Sequence, residues 1–388
     1  MSHRLIALCF GNFMIGTGAL IVPGMLPYIA EGLGVSMPVA GQLITVFAVT
    51  IAITAPVLSG ATSRFDRRAL MVATLLLYFA GHLASSLISS HVLMMVVRAL
   101  TSVSAGLYVA QAAATAALLV APEERGKAMA FVFLGWSISA VIGLPAGSYV
   151  GATLGWRAGF GMVAAGSLAS ALWLWFVLPP GLRVAPFDRA MWGVLFRHPA
   201  VLLVVGVTVL SISGQFVIFP FFVAAARALV EATPLMVSLL LGAYGVFGLL
   251  ANLVSGRLCD RYGAHRAVMG LLAFMLVSQL IWTGAQGSFT IMALSLGVLG
   301  VGSFSSNSSQ QVRLAGLAPE LATVSIAFNS SAVAVGQAIG TSVASLMLAN
   351  LEGTAAYATL GWGAATLTGM AMALSWFAAS RSRTVAAA

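Results

Sequence analysis

Twelve apolar runs of about 20 residues recur along this chain of 388 residues, and the charged residues fall almost entirely between them. Wound as a helix, a run of that length matches the hydrocarbon thickness of a bilayer. The runs read as 5–30, 38–58, 69–90, 92–117, 128–153, 157–178, 200–226, 233–254, 267–286, 288–312, 324–348 and 356–377. Each is predominantly apolar rather than alternating, so these are helices and not strands of a membrane barrel. Composition agrees. Charged residues are 7% of the chain and hydrophobic residues 60%, where a soluble domain carries about 25% and 45–50%. Eighteen Lys+Arg and nine Asp+Glu cannot coat a globule of this size in water, so the bilayer is its solvent. The fold class expected is an all-α membrane protein of twelve transmembrane helices.

Several function classes fall away at once. The formal net charge is +9, but the basic residues form short clusters between apolar runs, with no basic stripe of the kind that binds nucleic acid. Cys9 and Cys259 offer neither a disulfide framework nor a metal spacing, and no cofactor motif is present. Met1 to Arg4 lead straight into an apolar run of about 26 residues, which suits a first span better than a cleavable signal. An intramembrane enzyme would need a His/Glu cluster, a Ser–His pair at matching depth or a metal set. A channel would need a ring of charges or a filter-like repeat. Neither pattern occurs.

The charges also orient the chain. Fifteen of the eighteen Lys+Arg lie at the termini and in the loops after even-numbered spans, among them Arg64, Arg67, Arg68, Arg125, Lys127, Arg257, Arg261, Arg266 and Arg313. The opposite side keeps Arg157 and Arg227, and Arg98 falls inside the fourth span. This asymmetry places both termini in the cytoplasm of a bacterial-type inner membrane. The longest loop, with Pro179, Pro180 and Pro186, divides the chain into six spans and six. The domains expected are a bundle over 1–178, a cytoplasmic loop over 179–199 and a second bundle over 200–388. At an offset of 196, Gly106 to Gln111 pairs with Gly302 to Asn307. At 197, Ser63 to Asp66 pairs with Asp260 to Gly263. Internal symmetry of two six-span halves is a common plan of secondary transporters.

Four stretches carry a resemblance to the major facilitator superfamily, and within it to the twelve-span drug:proton antiporter branch that includes arabinose- or sugar-efflux-like permeases. The first is Gly256-Arg-Leu-Cys-Asp260-Arg261-Tyr-Gly263-Ala-His-Arg266, similar to the cytoplasmic loop signature. There Gly256 allows close helix approach and Gly263 a turn with positive φ. Asp260 can cap a helix N-terminus or pair with a base, forming a latch that breaks during transport. The first-half loop departs from the pattern, with Ser63 in place of the acid and Asp66 in place of the glycine. The second stretch places Arg98 eight residues before Gly106, about 9 Å inside the outer end of its helix. An Arg at that depth is either functional or an anchor that snorkels to the interface. The third runs from Gly135 through Gly143, Pro145, Gly147 and Gly151 to Gly155-Trp156-Arg157, and looks like the fifth-span antiporter motif. Glycines four apart let helices meet closely, and Pro145 introduces a bend. The fourth is Gln311-Val-Arg313 to Pro319-Glu320, followed by Phe328-Asn329, Gly336 and Gly340.

The resemblance implies two pseudo-symmetric six-helix bundles, with spans one, four, seven and ten lining a central cavity. Those spans carry Asn12, Phe13, Tyr108, Gln111, Gln215, Phe216, Phe219, Ser303, Phe304, Ser306, Asn307 and Gln310. Each amide serves equally well as an interhelical tie. Uncharged hydrogen bonders among aromatics suit a neutral or amphiphilic small molecule. Relatives often place an acid in span one, at a position that aligns with Ala19, and no Asp or Glu lies deep in any span read above. Coupling candidates are therefore Glu31, His82 and Arg98, which depth alone could gather into one cluster near the outer face. The function implied is proton-coupled efflux of a drug, sugar or metabolite by a monomer in the lipid bilayer. Uptake of a small solute on the same fold is the alternative.

Overall fold

A computed structural model describes residues 2–62, 65–183, 190–351 and 353–386. Ser63 and Arg64 of the first-half loop, residues 184–189 of the central loop and Glu352 lie outside the described residues, as do the side chains of Arg381 and Arg383. Twelve long helices account for the twelve apolar runs. They are α1 His3–Leu33, α2 Met37–Ala61, α3 Arg67–Leu87 and α4 His91–Leu118, then α5 Pro122–Thr153 and α6 Trp156–Val177. After a short helix at Ala190–Leu195 come α7 Pro199–Val230, α8 Pro234–Tyr262, α9 Ala264–Trp282, α10 Phe289–Leu317, α11 Ala322–Asn350 and α12 Ala356–Ala386. Among the described residues, α1 to α11 are long and apolar enough to span a bilayer on that ground alone. The 31-residue α12 contains the last apolar run and completes the set.

Several helices outrun the spans that hydropathy marks. At 1.5 Å per residue, the 29 residues of α8 extend about 43 Å, well beyond a hydrocarbon core of about 30 Å. Its last turns carry the basic loop signature, so Cys259 lies buried in a helix and not in a loop. α10 likewise continues to Leu317 and takes Arg313 with it.

Two helices change their winding where proline removes a donor. Pro145 cannot bond to the carbonyl four residues earlier, and residues Ser139–Gly143 of α5 widen into a π-type turn just before it. In α7, Phe219–Phe221 tighten into a 3₁₀ turn around Pro220.

Contacts divide the chain into two compact units. One holds Met1–Asp188 and the short piece Val237–Gly242, and the other holds Arg189–Met236 and Ala243–Ala388. Within the first, α1 packs on α5 and α6, α3 on α6 and α4, and α2 on α4. Within the second, α7 packs on α11 and α12, and α9 on α10 and α12. The helices most enclosed by protein are α1 and α7, each buried over 72% of its most apolar stretch, followed by α10 and α4.

Asp66, which stands where the pattern has glycine, takes φ −58° and ties two segments together. Asp66 caps α3 through Oδ1, which accepts from the Ala69 amide at 3.0 Å, while Oδ2 accepts from the Gly181 amide at 2.5 Å. The Arg67 amide donates to the Leu182 carbonyl at 2.9 Å. The start of the central loop is thus tied to the start of α3. Losing a helix cap costs about 1 kcal/mol. Asp66→Ala is expected to lower the melting temperature and to speed tryptic cleavage after Arg183, measured by limited proteolysis of the purified protein. Unchanged cleavage would show the tie is not made in solution.

Candidate functional site

Small residues draw α1 and α5 together along one seam of the first unit. A Cβ at Gly135 would sit 2.1 Å from the Cys9 carbonyl oxygen, one at Gly143 2.1 Å from Thr17 Oγ1, and one at Gly147 2.4 Å from Ile21 Cγ1. Gly151 meets Met25 at 2.5 Å in the same way. From the other side, Gly16 of α1 faces Ser139, and Ser148 Oγ donates to the Gly24 carbonyl at 2.8 Å. The spacing of four places one small residue per turn on the face toward α1, so two backbones slide together over five turns. The second unit repeats the seam between α7 and α11, where Gly340 meets Ser213 and Phe216, and Gly336 meets Val209 and Ile212.

Most polar side chains of the expected cavity are buried, and most of them are tied to a neighbouring helix. Asn12 Nδ2 donates to the Val132 carbonyl at 3.0 Å, and the Tyr108 hydroxyl to the Leu8 carbonyl at 3.3 Å. Gln111 accepts from the buried guanidinium of Arg67 and donates through Nε2 to Thr62 Oγ1 at 3.4 Å. Phe13 is half-buried and stacks on Phe10 at 6.0 Å. In the second unit Thr208 Oγ1 donates to Asn329 Oδ1 at 2.7 Å, and Asn329 Nδ2 to Asn307 Oδ1 at 3.1 Å. Gln310 Nε2 donates to the Val204 carbonyl at 3.3 Å, and Ser306 Oγ to the Ser303 carbonyl at 3.1 Å. Asn12 with Val132 and Thr208 with Asn329 are counterparts at the offset of the two halves, which carries the internal symmetry from sequence into packing.

An aromatic group gathers around one amide in the second unit. Gln215 Nε2 donates to the Tyr244 hydroxyl at 2.8 Å. The Tyr244 ring lies 5.2 Å from Phe219 and 5.5 Å from Phe304, and Phe219 lies 5.6 Å from Phe216. Sequence reasoning names every member except Tyr244, the hub, because α8 is not one of the spans expected to line the cavity.

The coupling candidates separate. Arg98 is 1% exposed, so it does not snorkel, and its guanidinium lies 4.2 Å over the face of Phe47. His82, fully buried, packs 4.2 Å from Tyr78, and its Nδ1 donates to the Tyr78 carbonyl at 3.0 Å. Tyr78 in turn donates to the Ile15 carbonyl at 2.8 Å. Among the described residues no hydrogen-bond partner meets Arg98 Nε, Arg98 Nη1 or His82 Nε2, and no Asp or Glu is buried. Glu31 is exposed in the last turn of α1 and is not part of this buried group. At the same place in the second unit, Ser278 and Ser295 exchange hydrogen bonds at 2.8 Å through each other's carbonyls. A neutral serine clasp therefore closes the contact that holds a charge in the first unit.

The loop signature is exposed. Asp260, Arg261 and Arg266 face solvent at the junction of α8 and α9, where Gly263 adopts φ +84°. Among the described residues no side chain caps α9 or α11, so Asp260 fills neither of those roles here. A Cβ at Gly256 would meet nothing within 4 Å, so the close approach expected there is not made. At the start of α6, the Arg157 guanidinium lies 4.2 Å over the Trp156 ring and donates to Ser89 Oγ at 2.9 Å.

The profile of the Major Facilitator Superfamily matches residues 8–230 and 204–387. The chain is 30% identical over 341 residues to the inner membrane transport protein YdhP of Escherichia coli (strain K12), covering 88% of this chain and 87% of that protein. It is 28% identical over 345 residues to a chloramphenicol resistance protein of Streptomyces lividans, covering 87% of each. Among solved structures, a mutant of the nucleoside transporter NupG superposes with a TM-score of 0.80 at 13% identity, covering 97% of this chain and 98% of that one. A bacterial homologue of the human lysosomal transporter Spinster gives 0.79 at 13% identity, covering 97% and 96%.

Proposed function

Because the chain belongs to the major facilitator superfamily, and is thus a multi-pass membrane transporter and not an enzyme, we propose that it exports a small neutral or amphiphilic solute in exchange for protons. The carrying observation is the α1–α5 seam, in which the glycines of the antiporter-like stretch form one closely packed face and a π-type turn runs up to Pro145. Such a turn, held between two backbones, gives α5 a defined place to flex as the halves rock about a midplane site. The solute class follows from the interior. Gln215, Tyr244 and three phenylalanines offer stacking and hydrogen bonds, and no buried carboxylate among the described residues awaits a cation. A relative named for chloramphenicol resistance makes that neutral amphiphile the first probe.

The monomer works in an inner membrane with both termini cytoplasmic. Leu182→Cys should resist a membrane-impermeant maleimide added to intact cells, and Thr153→Cys should react. Labelling of Leu182→Cys from outside would invert the topology. Direction is tested by accumulation of labelled chloramphenicol, and of a panel of neutral amphiphiles, in cells lacking their own drug pumps. Expression of the protein should lower the steady-state level of at least one. A raised level would make it an uptake permease.

A further inference from the structure

A cleft of about 380 Å³ opens at the end of the second unit where α7 and α9 begin and α10 and α12 end. It lies apart from the Gln215–Tyr244 group. Its walls are apolar, including Val204, Val312, Leu317 and Ala378, and its polar side chains are Arg313 and His265. Among the described residues no Asp or Glu lines it. Arg313 Nη1 donates to Ser375 Oγ at 2.9 Å and Nη2 to the Ser375 carbonyl at 3.4 Å. Among the described residues these two bonds leave most of the five guanidinium donors uncommitted. Ala264 and His265 belong to the first turn of α9, whose amides have no side-chain cap.

We propose that this cleft seats the phosphate group of an anionic amphiphile, with the headgroup on Arg313 and the first turn of α9 and the apolar part along Val312 and Leu317. A guanidinium presents paired donors that match a phosphate, and an uncapped helix start adds N–H groups and a favourable dipole. The apolar walls would be idle around a fully hydrated ion, and they suit the glycerol and upper acyl region of a phospholipid. Arg266, exposed, follows His265 directly in the first turn of α9, and Arg261 lies in the last turn of the preceding helix within the same basic stretch. A basic pocket between helices beside such a stretch is how membrane proteins take up anionic headgroups from the cytoplasmic leaflet.

The test is thermal unfolding of the full-length detergent-purified protein, titrated with dioleoyl phosphatidylglycerol, with dioleoyl phosphatidylcholine, or with inorganic phosphate. A ligand of the native state raises its stability. Phosphatidylglycerol should raise the melting temperature by several degrees and phosphatidylcholine by much less. Arg313→Gln should lose that increment. Gly316→Phe should lose it too, because a Cβ at Gly316 meets nothing within 4 Å and the ring can fill the cleft without displacing the fold. Native mass spectrometry should show one fewer retained phosphatidylglycerol in both variants. If inorganic phosphate alone gives the full increment, the ligand is a soluble phosphate and not a lipid. If the two lipids stabilise equally, or both variants keep the full increment, the cleft is not a phosphate seat.

Discussion

Gly135→Ala is expected to abolish most transport and to lower the melting temperature by several degrees. The added methyl would lie 2.1 Å from the Cys9 carbonyl oxygen and 2.9 Å from the Phe13 amide nitrogen. Both are backbone atoms of α1, so no side-chain rotation relieves the overlap and the helices must separate. Forcing one methyl into a packed interior costs about 1–3 kcal/mol, and here the separation falls beside the π-type turn that the proposed rocking uses. Gly126→Ala supplies the control: the same change near the start of α5 meets nothing within 4 Å and should leave both quantities at or above the parent's, since alanine is the better helix former. Parent-like transport and stability in Gly135→Ala would remove the seam from the account.

Arg98→Met separates a coupling charge from a packing residue. A guanidinium buried without a carboxylate costs folding energy, and exchange for an apolar side chain of similar size is often neutral or stabilising. The cation–π contact with Phe47 offsets part of that cost. The serine clasp at Ser278 and Ser295 shows that this kind of helix contact closes without a charge. The melting temperature of Arg98→Met should therefore equal or exceed the parent's. Transport against a gradient should fall roughly tenfold or more, equivalent to about 1.4 kcal/mol in the transport barrier. Loss of stability in step with transport would make Arg98 a packing residue, and unchanged transport would remove it from coupling. Glu31→Gln should leave the gradient dependence intact, because the exposed Glu31 stands outside the buried group around Arg98.

Hydropathy made the twelve helices legible because a bilayer demands a minimum apolar length. It could not mark where α8 and α10 end, since beyond the hydrocarbon a helix continues on polar residues. The basic loop signature therefore reads as a loop although residues up to Tyr262 are helical. The seam was legible too, because glycines at a spacing of four imply one face. What stayed hidden depends on which residues meet in space. Arg67 looks like Arg68 in the sequence, yet its guanidinium turns inward to Gln111. Tyr244 gives no signal of its own and becomes a hub only through Gln215, nearly thirty residues earlier in sequence. Glu31 and Arg98 sit at depths that suggest one cluster, but depth says nothing about burial, and Arg98 is enclosed while Glu31 faces solvent.

The central claim, proton exchange for a neutral amphiphile, is tested most directly in everted membrane vesicles. Respiration acidifies their interior, and a trapped fluorescent weak base reports the pH gradient. Adding a solute that the protein carries should release protons and restore fluorescence in vesicles holding the parent. Vesicles with Arg98→Met at equal expression should give no response. Labelled solute that exchanges across these vesicles while the pH gradient stays unchanged would contradict proton coupling.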